Sequence, residues 1–310
     1  MLRIVLVALS LALSAPAFAQ QHVLQVNFFR QDPATVVGRL KGFFARENLE
    51  VKVSLTPNST EQMQRLSHGT YQIVSTAFDN VLFWSGREGA ELIAVSQVID
   101  TAVYPVFVRP EIKQWSDLRG KKLAVDAVDT AFALVLRRVL LDQGLDLKRG
   151  DYEFVAVGNT GLRLASMKKG ETFAGVLTAP FDTQAAAAGM VRMGDSSKAL
   201  PDFPNTLFAV DRAWATKERA QLVSYLRAWL ASAKWMRTNR EEAIGLVGAE
   251  LKVDPKTAAR LIGEVTPNGA INPRALEMAL RLRNDFGMTP KMGPDISRYY
   301  DTQYFEAARR

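Results

Sequence analysis

The sequence predicts an α/β fold in two lobes, and three observations carry that prediction. From Gln21 to about Leu200 short apolar runs alternate with capped helical segments; the alternation pauses and restarts after Pro110; and from Thr216 onward the chain turns almost wholly helical. Alternation of this kind sandwiches strands between helices. The length of 310 residues suits one large domain or two of roughly 100–200 residues each, and the restart favours two.

The elements follow in order. Val23 to Phe28 reads as a first strand. Asp32-Pro33 supplies an N-cap and a proline at the first helical position, ahead of Val36, Val37, Leu40, Phe43 and Phe44 at helical spacing. Val51 to Leu55 is a second strand, Ser59 with Gln62 forms a capping-box pattern for a helix ending at Gly69, and Tyr71 to Ser75 is a third strand. A helix begins near Asp79, and Leu92 to Val98 and Val103 to Val108 are further strands. The second unit opens with a short helix, a glycine turn and a strand over Ser116 to Val125. Asp129 is read as the cap of a helix with Phe132, Val135, Leu136, Val139 and Leu140 on one face. Tyr152 to Val157, a helix over Thr160 to Lys169, Phe173 to Leu177 and a helix near Pro180 complete this lobe, and Pro201 and Pro204 mark its exit. Beyond Thr216, Leu222, Tyr225, Leu226, Trp229, Leu230, Ala233 and Met236 keep the amphipathic rhythm, and Asp254-Pro255 and Asn272-Pro273 start two more helices. These helices need a surface on which to bury their apolar faces, so they are assigned to the first lobe. The first lobe is then expected to comprise 20–109 and 205–310, and the second 110–204.

The first nineteen residues read as an export signal: Arg3, an apolar run from Ile4 to Leu13, and Ala17-Phe18-Ala19 as an A-x-A cleavage site. The run is about half of the roughly 20 residues that a membrane span needs. A mature chain starting near Gln20 in the periplasm is expected. The absence of cysteine excludes disulfides, a thiolate nucleophile and a cysteine-held metal, and for the same reason no lipoprotein anchor is expected. A content of 48% hydrophobic and 23% charged residues is that of a globular protein. The formal charge of +7 is spread along the chain, with Lys and Arg often beside acids as in Lys217-Glu218-Arg219. A nucleic-acid reader would cluster them with aromatics, so no nucleic-acid partner is expected.

Enzymatic signatures are missing: there is no G-x-S-x-G, no phosphate-cradling G-x-x-x-x-G-K-[ST], no G-x-G-x-x-G after a strand and no H-E-x-x-H. His22, near the mature terminus, and His68, at a helix end beside Gly69, are read as solvated. Asn58-Ser59-Thr60 is read as a turn with a helix cap.

The stretch Trp115-Ser116-Asp117-Leu118-Arg119-Gly120-Lys121-Lys122, running into Leu123-Ala124-Val125-Asp126, resembles the entry to the second lobe in the periplasmic substrate-binding proteins of the nitrate, sulfonate, taurine and thiamine-precursor ABC importers. Thr70 to Ala77 after Gly69, and Ala174 to Phe181, are similar to that family's ligand-loop steps in the first and second lobes. The resemblance covers nearly the whole chain. It implies the type II periplasmic-binding-protein fold: two α/β lobes joined by two crossing segments, a small organic solute in the cleft between them, an inner-membrane ABC permease as partner, a monomer, and neither chemistry nor cofactor. Two alternatives come from other classes. Enzymes on the same fold, the fungal thiamine-pyrimidine synthases and the porphobilinogen deaminases, rely on cysteines that this chain lacks, and a ligand-sensing regulatory domain would carry a DNA-binding helix pair in place of the export signal.

Open α/β sheets bind ligands beyond the carboxyl ends of their strands. Here those ends hold Phe28, Phe29, Phe78, Phe132 and Phe181 as candidate apolar walls, and Thr76, Thr130, Asn159, Thr160 and Thr178 as candidate hydrogen-bonding groups. At least two of the phenylalanines are expected in the core. Asp79, Asp126 and Asp129 are the candidate anionic groups and Arg30 and Arg163 the cationic ones. Carboxylates at a helix start disfavour a simple inorganic anion, which points to an organic molecule with an apolar or planar body and leaves room for an amine.

Overall fold

The computed structural model describes residues 21–99, 103–288 and 295–310; the expected export signal lies outside them. Among the described residues, ten strands form two five-stranded sheets. The first contains β1 (His22–Phe28), β2 (Leu49–Leu55), β3 (Ile73–Ala77), β4 (Leu92–Gln97) and, from far along the chain, β10 (Thr206–Asp211), in the order β2-β1-β3-β10-β4. The second contains β5 (Pro105–Val108), β6 (Lys121–Val125), β7 (Tyr152–Ala156), β8 (Ala174–Val176) and β9 (Val191–Asp195), in the order β7-β6-β8-β5-β9. In each sheet four strands run in one direction, and the strand that follows a crossing, β10 or β5, lies between two of them and pairs antiparallel with both. The two sheets thus share one plan.

The expected lobe boundary near 110 is corrected by this pairing. β5 bonds to β8 and β9 of the second sheet, so the chain crosses between β4 and β5 and returns between β9 and β10. Pairing partners, not the run of apolar residues, decide which sheet a strand joins. Two caps also differ from expectation. Asn58, not Ser59, caps helix Ser59–Ser67 by accepting from the Glu61 N–H at 2.8 Å, and the N-cap of helix Ala131–Asp142 is Thr130 rather than Asp129.

The C-terminal helices pack on the first lobe as expected. Leu222, Tyr225, Leu226, Trp229, Ala233 and Met236 of helix Arg219–Thr238 are buried against Val26, Phe28 and Phe208 of the first sheet. The caps Asp32, Asp254 and Asn272 accept from the backbone N–H of Thr35, Thr257 and Arg274. The other face of that sheet shares a continuous apolar cluster with the second lobe, in which Phe78, Val81 and Leu82 of helix Phe78–Trp84 join Leu134 and Val135 of helix Ala131–Asp142 and Leu276 and Leu280 of helix Pro273–Asp285.

Candidate functional site

Between the lobes lies a cavity of about 370 Å³. Its first-lobe wall comes from the ends of β1 and β3. Phe29, Arg30 and Asp32 line it in the turn after β1, and Ser75, Thr76 and Ala77 line it at the end of β3, followed by Asn80 one helical turn on. Asn80 Nδ2 donates to Thr76 Oγ1 at 2.9 Å, fixing both groups. The second-lobe wall comes from helix starts and β8: Phe132, Thr160, Thr178, Ala179, Phe181 and Asp182, with Arg192 of β9. The crossing segments supply Val98, Ile99, Val103, Tyr104 and Pro105 on one pass and Asn205 and Thr206 on the other, and helix Pro255–Glu264 adds Arg260 and Glu264.

The aromatic groups meet edge to face. Phe132 stands 6.2 Å from Phe29 across the lobes and 5.6 Å from Tyr104, at interplanar angles of 71° and 87°, the arrangement that ring quadrupoles favour. Behind Phe132, the wholly buried Arg163 lies 4.5 Å from the ring centroid. Its guanidinium donates to the carbonyls of Val176 and Gly158 and to Thr160 Oγ1. Burial pushes Arg163 down to about 10, with the charge of Asp126 opposing. Tyr104 is pushed up by burial and by the charge of Asp79.

Seven of the sequence-predicted residues line the cavity: Phe29, Arg30, Thr76, Phe132, Thr160, Thr178 and Phe181. The other eight lie elsewhere. Phe28 and Phe78 are core residues with no exposure. Asp126 is buried and accepts from Ser59 Oγ and Thr130 Oγ1, each at 2.5 Å, so that its carboxylate and Thr130 are consumed by the seam between the lobes. Asn159 serves that seam too, donating through its backbone N–H to the Pro57 carbonyl at 2.7 Å and through Nδ2 to the Thr56 carbonyl at 3.2 Å. Asp79 is buried with Arg283, whose Nη1 donates to Asp79 Oδ1 at 2.9 Å and to the Asp129 carbonyl at 3.2 Å. Burial pushes Asp79 up to about 6, against the pull of Arg283 and with help from the charges of Asp129 and Asp126. Arg163 stands behind the wall. None of Asp79, Asp126 and Asp129 lines the cavity, so, contrary to expectation, these carboxylates do not set the charge that a ligand meets.

The residues that sequence reasoning missed are chiefly Asn80, Tyr104, Asn205, Arg260 and Glu264. Tyr104 and Asn205 belong to the crossings, and Arg260 and Glu264 come from a helix assigned a purely packing role; its i, i+4 charged pair was the one local signal available. The charges at the cavity balance: Arg30, Arg192 and Arg260 against Asp32, Asp182 and Glu264. Arg30 pairs with Glu264 at 3.0 Å, while its Nη1 is buried without a partner among the described residues. Burial pushes Asp32 up, although Thr35 and Trp229 donate to it. For Asp182, the effect of burial is outweighed by the hydrogen bonds and charge of Arg260, which hold it below the usual carboxylate range.

The family model described as "NMT1/THI5 like" matches residues 33–243, more than half of the chain. The chain belongs to the NMT1/THI5-like family. A curated relative, a Haemophilus influenzae protein whose name assigns it to thiamine biosynthesis, is 27% identical over 120 residues, 37% of this chain, and the match spans only 38% of that protein. Solved structures share the fold at low identity. A Bordetella bronchiseptica protein has a TM-score of 0.77 at 20% identity, covering 94% of this chain and 98% of that one. The alkanesulfonate-binding protein SsuA of Xanthomonas axonopodis, bound to MOPS, has a TM-score of 0.75 at 14% identity, covering 92% and 99%. The periplasmic nitrate-binding protein NrtA of Synechocystis has a TM-score of 0.74 at 12% identity, covering 94% and 89%. This family member accordingly has the type II periplasmic-binding-protein fold.

Proposed function

We propose that this protein is the periplasmic solute-binding component of an ABC importer, which captures a small organic molecule between its lobes and delivers it to an inner-membrane permease. The observation that carries the reading is the inter-lobe cavity, walled by both lobes and both crossings. A volume of about 370 Å³ suits a small ligand. Phe29, Tyr104, Phe132 and Phe181 offer flat apolar contact, while Thr76, Asn80, Thr178 and Asn205 offer neutral hydrogen bonds. With the charged groups in balance, the cavity favours a planar organic molecule over a bare inorganic ion. The sulfonate and nitrate named for SsuA and NrtA, and the thiamine biosynthesis named for the Haemophilus relative, bound the classes to be tried. Binding without turnover is favoured because the Thr76 hydroxyl is engaged by an amide, Asn80, and, among the described residues, not by a base.

A thermal-shift screen of the mature protein against sulfonates, carboxylates, pyrimidines and amines tests the proposal. One class should raise the melting temperature, since saturation at 100 times Kd adds about 2.7 kcal/mol to stability, and mass spectrometry should recover that compound unchanged. Failure of all four classes, or catalytic release of an altered product, would refute the reading.

A further inference from the structure

Helix Pro255–Glu264 sets two opposite charges, Arg260 and Glu264, one turn apart on the same face. Both reach the cavity, and they act in different directions. Glu264 accepts from Arg30 Nη2 at 3.0 Å within the first lobe. Arg260 crosses the cleft: its Nη1 and Nη2 donate to the two carboxylate oxygens of Asp182 at 2.5 and 2.9 Å, and Asp182 lies in the first turn of helix Phe181–Ala187 in the second lobe. From one lobe to the other the charges thus alternate as Arg30, Glu264, Arg260 and Asp182. The helix is held firmly behind them, by the Asp254 cap and Pro255 at its start and by Ala258 and Ile262 in the first-lobe core.

We infer that the Arg260–Asp182 pair is the clasp of the cleft, a bidentate ion pair between the lobes that opens to admit solute and reforms to retain it. The inference rests on the binding reading above, because it takes the cavity to fill from solvent. Fork-to-fork geometry makes the pair directional and specific. Its exposure makes it openable: the Arg260 side chain is 42% exposed and that of Asp182 16%, so water can replace each partner and no charge is stranded in the interior. The other polar seam is built differently, since Ser59, Asp126 and Thr56 are buried and separating them leaves groups that must be rehydrated. The exposed clasp is therefore the seam that yields first.

The test needs no solute. The chain has no cysteine, and Lys256 and Ala188 are exposed at the ends of the helices that carry Arg260 and Asp182, so nitroxides on K256C/A188C report the inter-lobe distance by pulsed electron spin resonance. In this background R260Q and D182N should each enlarge the long-distance population at least tenfold. The exchanged pair R260D/D182R should restore the parent distribution. Melting temperatures of the same proteins verify that they are folded. Distributions of R260Q and D182N that superimpose on the parent's would overturn the inference, as would a parent that is already mostly open or an exchanged pair that stays open. A failed solute screen would refute the binding reading and leave these distances as they are, so the two failures are told apart.

Discussion

Phe28 and Phe29 are adjacent, yet the first is a core residue against Phe208 and the second lines the cavity. Side chains along a strand point alternately to opposite faces, so strand-end position was legible in the sequence whereas the phase, cavity or core, was settled by which face the C-terminal helices cover. The difference is testable. F132A and F181A should each weaken solute binding by about 1–3 kcal/mol through lost apolar burial and cost less stability than a core truncation, because both rings only border the apolar clusters. F28A should destabilise the fold by about 3–5 kcal/mol, and calorimetry with thermal melts on the three variants checks both arms. Asp79 shows a second limit on legibility: its partner Arg283 is 204 residues away, and no local pattern announces such a pair. Its carboxyl, pushed by burial up to about 6 from an ordinary 3.8, stays protonated in the folded chain where the unfolded chain has lost the proton. A raised carboxyl favours the fold fully below the unfolded value and loses that contribution as pH rises through the folded one. Acidification from pH 7 to 4.5 should therefore stabilise the wild type by about 2 kcal/mol relative to D79N. Urea titrations of both proteins at the two pH values measure the difference, and parallel pH profiles would contradict it.

Helices and their starts were the most legible elements, because caps are local chemistry. Asp32-Pro33 and Asp254-Pro255 both begin helices, and in both the threonine three residues after the aspartate donates through its backbone N–H and its Oγ1 to the capping carboxylate. Strands were read less completely. β9 and β10 went unrecognised, since Val191–Asp195 has only a weak apolar pattern and Thr206–Asp211 follows a proline-marked exit. β5 was seen but given to the wrong lobe, since sheet membership rests on partners far along the chain. The two aspartate caps make a controlled pair. Asp254 is exposed and does only local work, whereas Asp32 is buried and also accepts from Trp229 Nε1 at 2.9 Å, tying helix Pro33–Leu40 to helix Arg219–Thr238. D254A should cost about 1 kcal/mol, the usual value of a cap. D32A should cost about 1–3 kcal/mol more, because it leaves the buried indole N–H unpaired. Chemical denaturation of the two variants side by side checks the ordering, and equal losses would show that the link between these helices contributes nothing.

At the scale of the molecule, the two lobes meet in two different ways. Near the crossings they share apolar packing, in which Phe78, Val81 and Leu82 join Leu134 and Val135; across the cleft they meet through polar bonds, Asn159 to Pro57 and Thr56, Ser59 to Asp126, and Arg260 to Asp182. Apolar packing is costly to separate over its whole area, whereas polar groups that find water on opening lose little. Motion should therefore pivot about the packed end and part the polar end, a hinge closure of the familiar kind. A solute touching both walls then shifts the balance toward the closed form only by its differential affinity for it. Moving the lobes from 1:99 to 99:1 takes about 5.5 kcal/mol, a sum that burial of two aromatic faces and a few hydrogen bonds supplies. A compound that raises the melting temperature in the screen should accordingly reduce the radius of gyration seen by small-angle scattering. Hydrogen exchange should slow at residues 56–59 and 158–162 and stay unchanged in helices Phe78–Trp84 and Ala131–Asp142. Identical scattering with and without saturating compound would mean that the cavity fills without closure, and slowed exchange confined to the packed end would place the pivot on the wrong side of the molecule.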